Sequence, residues 1–269
     1  MSDTKLDFRL ADCVEAMKTI PENTVDVVVT SPPYNLGIKY SQYDDAVKRT
    51  LYLVWAAEWL AGVHRVMKAS GSFFLNLGSC PKNPWLPFEM ALVARSNGWV
   101  LQNNIAWVKS ITIRKAGEEI TAGHFKPINS PRYLNDCHEY VWHLTKLGGT
   151  PIDRLAVGVR YADKSNLTRG TRGKNGDRRC GGNTWFVPYE TINDGDKRPH
   201  PASFPPGLAE RCFQLHGLRP GLVGMDPFLG AGNAAVAAQR CNLDHFYGFE
   251  TDDAYLTLAH ENTRLTKTS

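Results

Sequence analysis

The chain has 269 residues, enough for one substantial core with room for a large insertion or a small second domain. Its 42% hydrophobic and 22% charged content is that of an ordinary globular protein, and no apolar run approaches the roughly 20 residues that would span a bilayer. The net charge of +4 decides nothing by itself, while six scattered cysteines without a Cys-x-x-Cys pair argue against both a disulfide framework and a zinc site. The opening "MSDTKLDFRL" lacks the apolar segment of a secretory signal, so a cytoplasmic protein is expected.

In chain order the first third alternates strands and helices. "DFRL" reads as a short strand and "VDVVVT" (Val25 to Thr30) as a strand buried on both faces. Asp44 to Ala69 has apolar residues near helical spacing and ends before Gly71. "SFFLNLG" is a third strand, "PWLPFEMALVARSNG" a helix ending at Gly98, and "WVLQNNIAWVK" a fourth strand. This rhythm predicts a parallel sheet over residues 1–109.

The rhythm breaks over 110–198. One good strand, "HEYVWHLTK", stands among loops: "KPINSPRYLND", a basic segment, and "GGNTWFVPYETINDGD". Loops of this length are usually functional or disordered, and the aromatic content favours a structured insertion. Between Pro151 and Cys180 lie eight basic residues against three acidic ones, amid glycine and asparagine. Polyanion binding and a solvated loop both explain that charge.

From 199 to 269 the α/β order resumes. "FPPGLAERCFQLHG" is a helix opened by prolines. "GLVGMDPFLGAGNAAVAAQ" is strand, glycine-rich turn and helix; "DHFYGFE" is a strand ending in Glu250; "DDAYLTLAHENTRL" is a closing helix with acidic residues at its start.

Two turns stand at the ends of buried strands, where open α/β sheets place their ligands. The first is Ser31-Pro32-Pro33-Tyr34. Prolines cannot extend a sheet ladder, so the chain stiffens into a turn carrying a hydroxyl, a free carbonyl and an aromatic ring; a plain strand-ending turn is the alternative. Asn35 reads as a residue that shapes this turn. The second is Asp226 to Asn233, "DPFLGAGN". Gly230 and Gly232 permit close approach of backbone to ligand, the turn has no Gly-Lys-Ser/Thr of a P-loop, and Pro227 and Phe228 suit packing against an apolar ligand. Glu250, about twenty residues further on, stands where a Rossmann-type unit binds ribose hydroxyls, or it caps the following helix.

These motifs resemble those of the DNA amino-methyltransferases, which use S-adenosylmethionine and carry an (Asp/Asn/Ser)-Pro-Pro-(Tyr/Phe/Trp) turn and a Phe-x-Gly-x-Gly loop, here "SPPY" and "FLGAG". The order, catalytic turn first and cofactor loop last, resembles the permuted β-type of that family. The resemblance implies a doubly wound, Rossmann-like α/β sheet, circularly permuted, with a target-recognition insertion at 110–198 between a catalytic half (1–109) and a cofactor-binding half (199–269). It implies catalytic roles for Ser31, Pro32, Pro33 and Tyr34. It assigns S-adenosylmethionine to Asp12, Phe204, Asp226, Pro227, Phe228, Gly230, Gly232, Asn233 and Glu250, with Asp12 accepting from the adenine amino group and Phe204 packing on the cofactor. Taken alone, Asp12 reads as a turn residue.

Members with serine first mostly methylate the N4 amine of cytosine, which is the activity expected here. Adenine N6 methylation, an RNA substrate and a catalytically dead nucleic-acid-binding regulator are the alternatives. A dinucleotide-dependent dehydrogenase fits less well, since the loop lacks a third glycine. Double-stranded DNA is the expected partner, contacted by candidates Lys126, Arg132, Arg169, Arg172, Arg178 and Arg179. A cognate restriction endonuclease and a second copy of the chain are further candidate partners, with no metal and no membrane.

Overall fold

The computed structural model describes residues 4–35, 46–81, 83–115, 118–122, 130–134, 136–164, 176–188 and 203–265, with backbone alone for 110–115 and 118–122. Its elements run β1 (Lys5–Leu10), α1 (Cys13–Lys18), β2 (Val25–Thr30), α2 (Arg49–Val66), β3 (Met67–Leu77), α3 (Leu86–Ser96), β4 (Val100–Lys115), β5 (Glu118–Ala122), β6 (His138–Thr145), β7 (Val159–Arg160), β8 (Arg178–Arg179), β9 (Thr184–Pro188), α4 (Pro206–His216), β10 (Val223–Asp226), α5 (Asn233–Arg240), β11 (His245–Glu250) and α6 (Asp253–Leu265).

Among the described residues nine of these strands form one sheet in the order β1-β11-β10-β2-β3-β6-β4-β5, with β9 also paired to β4, and β7 and β8 form a separate two-stranded sheet. β1, β11, β10, β2 and β3 are mutually parallel. The strands of residues 1–109 run parallel to one another as expected, and β6, from outside that range, lies antiparallel between β3 and β4. Local pattern gave β6 its strand character but not its slot: β3, α3 and β4 form a crossover that leaves a gap one strand wide, and β6 enters it from the opposite direction. Of the segment expected to be a separate insertion, β6 and β9 thus belong to the central sheet. β9 falls in a stretch read as loop; its alternating pattern buries Trp185 and Val187 over only five residues, too short a period to stand out.

Strand β2 is buried along its whole length, the consequence of helices on both sheet faces. Val27 and Val29 join one core cluster with Phe213 of α4, Ala235 of α5 and Ala259 of α6. Val28 joins the other, with Met17 of α1, Tyr52 and Trp59 of α2, and Met90 of α3. β10 therefore leaves through α5 on one face, and β2 leaves through α2 on the other. The crossovers diverge between these two adjacent strands, and such a switch point opens a crevice at the strands' carboxyl ends. β1 lies beside β11, in register from Lys5↔His245 to Leu10↔Glu250, where a chain continuing from α6 would place its next strand. The circular permutation read from motif order is this arrangement. Among the described residues no helix is long and apolar enough to cross a membrane.

Candidate active site

Both motif turns open into that crevice. β2 and β10 are hydrogen-bonded neighbours, with Gly224↔Val27 and Met225↔Val28 in register. At their ends the Thr30 hydroxyl donates to Asp226 Oδ1 at 2.5 Å, and the Phe228 N–H donates to the same oxygen at 3.0 Å. Asp226 is almost wholly buried. Burial outweighs these two donors and pushes its carboxyl up to about 7.

The glycine turn is held from the next strand. Gly230 and Gly232 have φ of 51° and 81°, the left-handed region, and a Cβ on Gly232 would stand 2.9 Å from the Ala259 Cβ. Glu250 Oε2 accepts the Gly230 N–H at 2.9 Å, while Oε1 accepts from the N–H groups of Thr251 and Asp252. Burial raises the Glu250 carboxyl, and the three backbone donors oppose that shift. One side chain thus ties the glycine turn to the entry of α6. Pro227 is buried. Phe228 is half-buried and packs edge-on against Trp55 and Trp59 of α2, centroids 5.5 and 5.3 Å away. Asn233 starts α5 and donates to the Phe204 carbonyl at 2.7 Å; the Phe204 ring is buried in the core. Asp12 caps α1, accepting from Val14 N–H at 2.8 Å, which accounts for its reading as a turn residue. It follows β1 next to Glu250, since Ala11 N–H donates to the Glu250 carbonyl.

At the first turn Pro32 is buried, and the Tyr52 hydroxyl donates to the Pro33 carbonyl at 2.7 Å. Asn35 has φ 55° and donates to the Val47 carbonyl at 2.9 Å, the turn-shaping role expected of it. Ser31 Oγ and Tyr34 Oη lie 2.6 Å apart. Around them stand groups the sequence reading passed over. Asn76 Nδ2 is 3.0 Å from Tyr34 Oη and 2.6 Å from Glu139 Oε2, and Tyr34 Oη is 3.1 Å from that carboxylate oxygen. Lys109 pairs with the other oxygen, Oε1. Burial, and next the Glu139 charge, raise the Tyr34 phenol well above its ordinary value, so it stays protonated. Asn76 and Glu139 were detectable as polar residues inside "SFFLNLG" and "HEYVWHLTK", strands that are otherwise core.

Of the nucleic-acid candidates, Lys126, Arg169 and Arg172 lie outside the described residues. Arg178 and Arg179 form β8, paired with β7, and are exposed; Arg178 donates to the backbone carbonyls of Leu155 and Ala156. Arg132 is exposed, its guanidinium 5.2 Å from the Tyr133 ring centroid.

A family model described as DNA methylase, covering the N6 and N4 enzymes, matches residues 25–261. The chain belongs to this family. It is 27% identical to the type II methyltransferase M.HpaI of Haemophilus parainfluenzae over 95% of its own length and 74% of that protein's. It is 24% identical to the DNA adenine methyltransferase YhdJ of Escherichia coli, over 92% of its own length and 79% of that protein's. The fold superposes on the cytosine-N4-specific PvuII DNA methyltransferase with a TM-score of 0.68 at 16% identity, covering 97% of this chain and 87% of that one. A Thermus thermophilus protein described as a DNA modification methylase, solved with S-adenosyl-L-methionine, gives 0.64 at 22% identity, covering 98% and 94%.

The protein is therefore an S-adenosylmethionine-dependent DNA amino-methyltransferase, acting on adenine N6 or cytosine N4. The crevice fits that cofactor chemically. Asp12 and Glu250 bring two carboxylates to adjacent strand ends, where amino and hydroxyl donors need acceptors. The Phe228–Trp55 pair supplies aromatic surface beside a glycine turn of left-handed backbone.

Proposed function

We propose that the chain methylates the exocyclic N4 amine of a cytosine extruded from double-stranded DNA. The observation that carries this reading is the neutral Ser31 hydroxyl at the head of the catalytic turn. Members of the family with serine first in this turn mostly methylate cytosine N4; the hydroxyl also sets no negative charge against the ring-nitrogen lone pair, which both bases present beside the amine.

An exocyclic amine is a poor nucleophile because its lone pair is delocalised into the ring. The Ser31 oxygen and the Pro32 carbonyl, aimed by the proline that follows, would accept the amine's two hydrogens and draw the nitrogen towards tetrahedral geometry. Tyr34 offers a flat face against the extruded base. When bound, S-adenosylmethionine supplies an electrophilic methyl group on a sulfonium. Asp12, Phe204, Asp226, Pro227, Phe228, Gly230, Gly232, Asn233 and Glu250 would hold it, so that positioning and electrostatics lower the barrier without a strong base. The segment 110–198, with Arg132, Arg178 and Arg179, would contact phosphates and bases and offset the few kcal/mol that extrusion costs.

Adenine N6 methylation is the second reading, favoured by the likeness to an adenine methyltransferase. Mass spectrometry of nucleosides from DNA incubated with enzyme and isotope-labelled cofactor separates the two. Labelled N4-methylcytosine is expected, and labelled N6-methyladenine would replace it with the second reading. No label in the DNA would contradict both.

A further inference from the structure

We infer that Glu139 is a positioning residue that fixes the direction of the hydroxyls at the catalytic turn, so that Ser31 meets the target amine as a pure acceptor. The inference rests on reading Ser31 as the amine-binding group and adds what makes it one. A serine hydroxyl by itself is ambiguous, with one donor hydrogen and two acceptor lone pairs. If its hydrogen faced the amine it would repel the amine's own hydrogens.

The surrounding contacts remove the ambiguity. Paired with Lys109, the Glu139 carboxylate serves its neighbours as an acceptor. Lys109 occupies Oε1, and Asn76 Nδ2 stands 2.6 Å from Oε2. That distance fixes the Asn76 amide, because turning it over would press its carbonyl oxygen onto the carboxylate. Its second N–H is then directed to Tyr34 Oη, 3.0 Å away. The phenol is protonated, and the strongest acceptor in reach of its hydrogen is Glu139 Oε2 at 3.1 Å. With the Tyr34 hydrogen committed there, the 2.6 Å contact between Ser31 and Tyr34 has one possible donor, the serine. Its hydrogen is then turned to Tyr34, and Ser31 Oγ is left as an acceptor, with the Asn76 amide 3.4 Å away on one side and a lone pair for the target amine.

The packing is built for this chain of bonds. Glu139 and Asn76 are both buried. Gly78 leaves room for the pair: a Cβ there would be 3.0 Å from Tyr34 Cε2 and 3.1 Å from Glu139 Oε1. Glu139 comes from β6, the strand that enters the sheet against the direction of its neighbours. A buried carboxylate–lysine pair contributes little net stability compared with apolar residues of the same volume, so its placement under the catalytic turn is explained by the hydroxyls it orients.

The test is single-turnover methylation by wild type, Glu139→Gln, Tyr34→Phe and the double variant, with melting temperature and calorimetric cofactor affinity measured on each. Glutamine keeps the size but can also donate, so the direction of the chain is lost. Phenylalanine removes the link. Each single variant should lose about 10²-fold in rate, the scale of one preorganised hydrogen-bonding group, with KM for DNA and cofactor affinity within about threefold. The double variant should be no slower than the worse single variant, because both break one path. Glu139→Gln at the wild-type rate, or losses that multiply in the double variant, would overturn the inference while leaving methylation itself intact. A wild-type protein that transfers no methyl to DNA would overturn the inference together with the reading beneath it.

Discussion

The Thr30 hydroxyl donates to Asp226 Oδ1 at 2.5 Å across 196 residues of sequence, joining the last residue of one motif strand to the last residue of the other. This bond makes the Ser-Pro-Pro-Tyr turn and the glycine turn two lips of one crevice. Thr30→Val keeps the shape and removes the donor. Leaving a buried carboxylate with one fewer partner should destabilise the fold by about 1–3 kcal/mol and weaken cofactor binding by roughly tenfold. Urea unfolding and calorimetry check the two effects; a variant unchanged in both would show that the strand ends are held by other contacts.

Buried titratable groups predict a shape for stability against pH. In the unfolded chain Asp226 ionises near 3.8, whereas in the fold burial pushes it up to about 7. As pH rises from about 4 to about 7 the unfolded chain releases a proton that the folded chain keeps, so this group removes stability over that window. His143 and His216 act in the opposite sense. Both hydrogen-bond the buried Ser72 hydroxyl, and burial lowers each from 6.5 to about 4. As pH falls from about 6.5 towards 4 the unfolded imidazoles take up protons first, and stability is lost. Asp226→Asn removes only the first slope. Its melting temperature, relative to wild type, should climb between pH 4 and 7 and level off above, and parallel curves would contradict the raised Asp226 value.

Among the described residues the exposed Arg178 and Arg179 meet no carboxylate and donate to backbone carbonyls. If they meet phosphates, replacing each by alanine should weaken DNA binding at low salt and reduce the slope of log affinity against log salt by about 1 per residue. Melting temperature and cofactor affinity should not move. Fluorescence anisotropy across a salt series reads the slope directly, and an unaltered slope assigns these arginines to the solvated-loop reading instead.

The two motif strands were legible because burial on both faces demands near-continuous apolar runs, as in Val25 to Val29 with Asp26 the one interruption, and because proline and glycine then mark where each run must end. The permutation was legible for the same reason: motif order survives translation into sheet order. The support beneath Ser31 was not. Asn76 and Glu139 reach Tyr34 from β3 and β6, 42 and 105 residues away, and only the sheet order reveals that these strands are neighbours. β6 carries the hydrophobic signature of any buried strand, which says nothing of its direction or slot. Short elements escaped for a different reason: α1 has six residues and β9 five, less than two periods of a helix and barely two of a strand.

The proposed reading divides the labour within one crevice, the serine turn handling the amine and the glycine turn the cofactor. Ser31→Ala tests it most directly, by single-turnover methyl transfer to DNA and calorimetric cofactor binding on the same preparation. The rate should fall by about 10²-fold or more with cofactor affinity unchanged within about twofold. Methyl transfer at the wild-type rate, or cofactor affinity that falls in step with the rate, would contradict it.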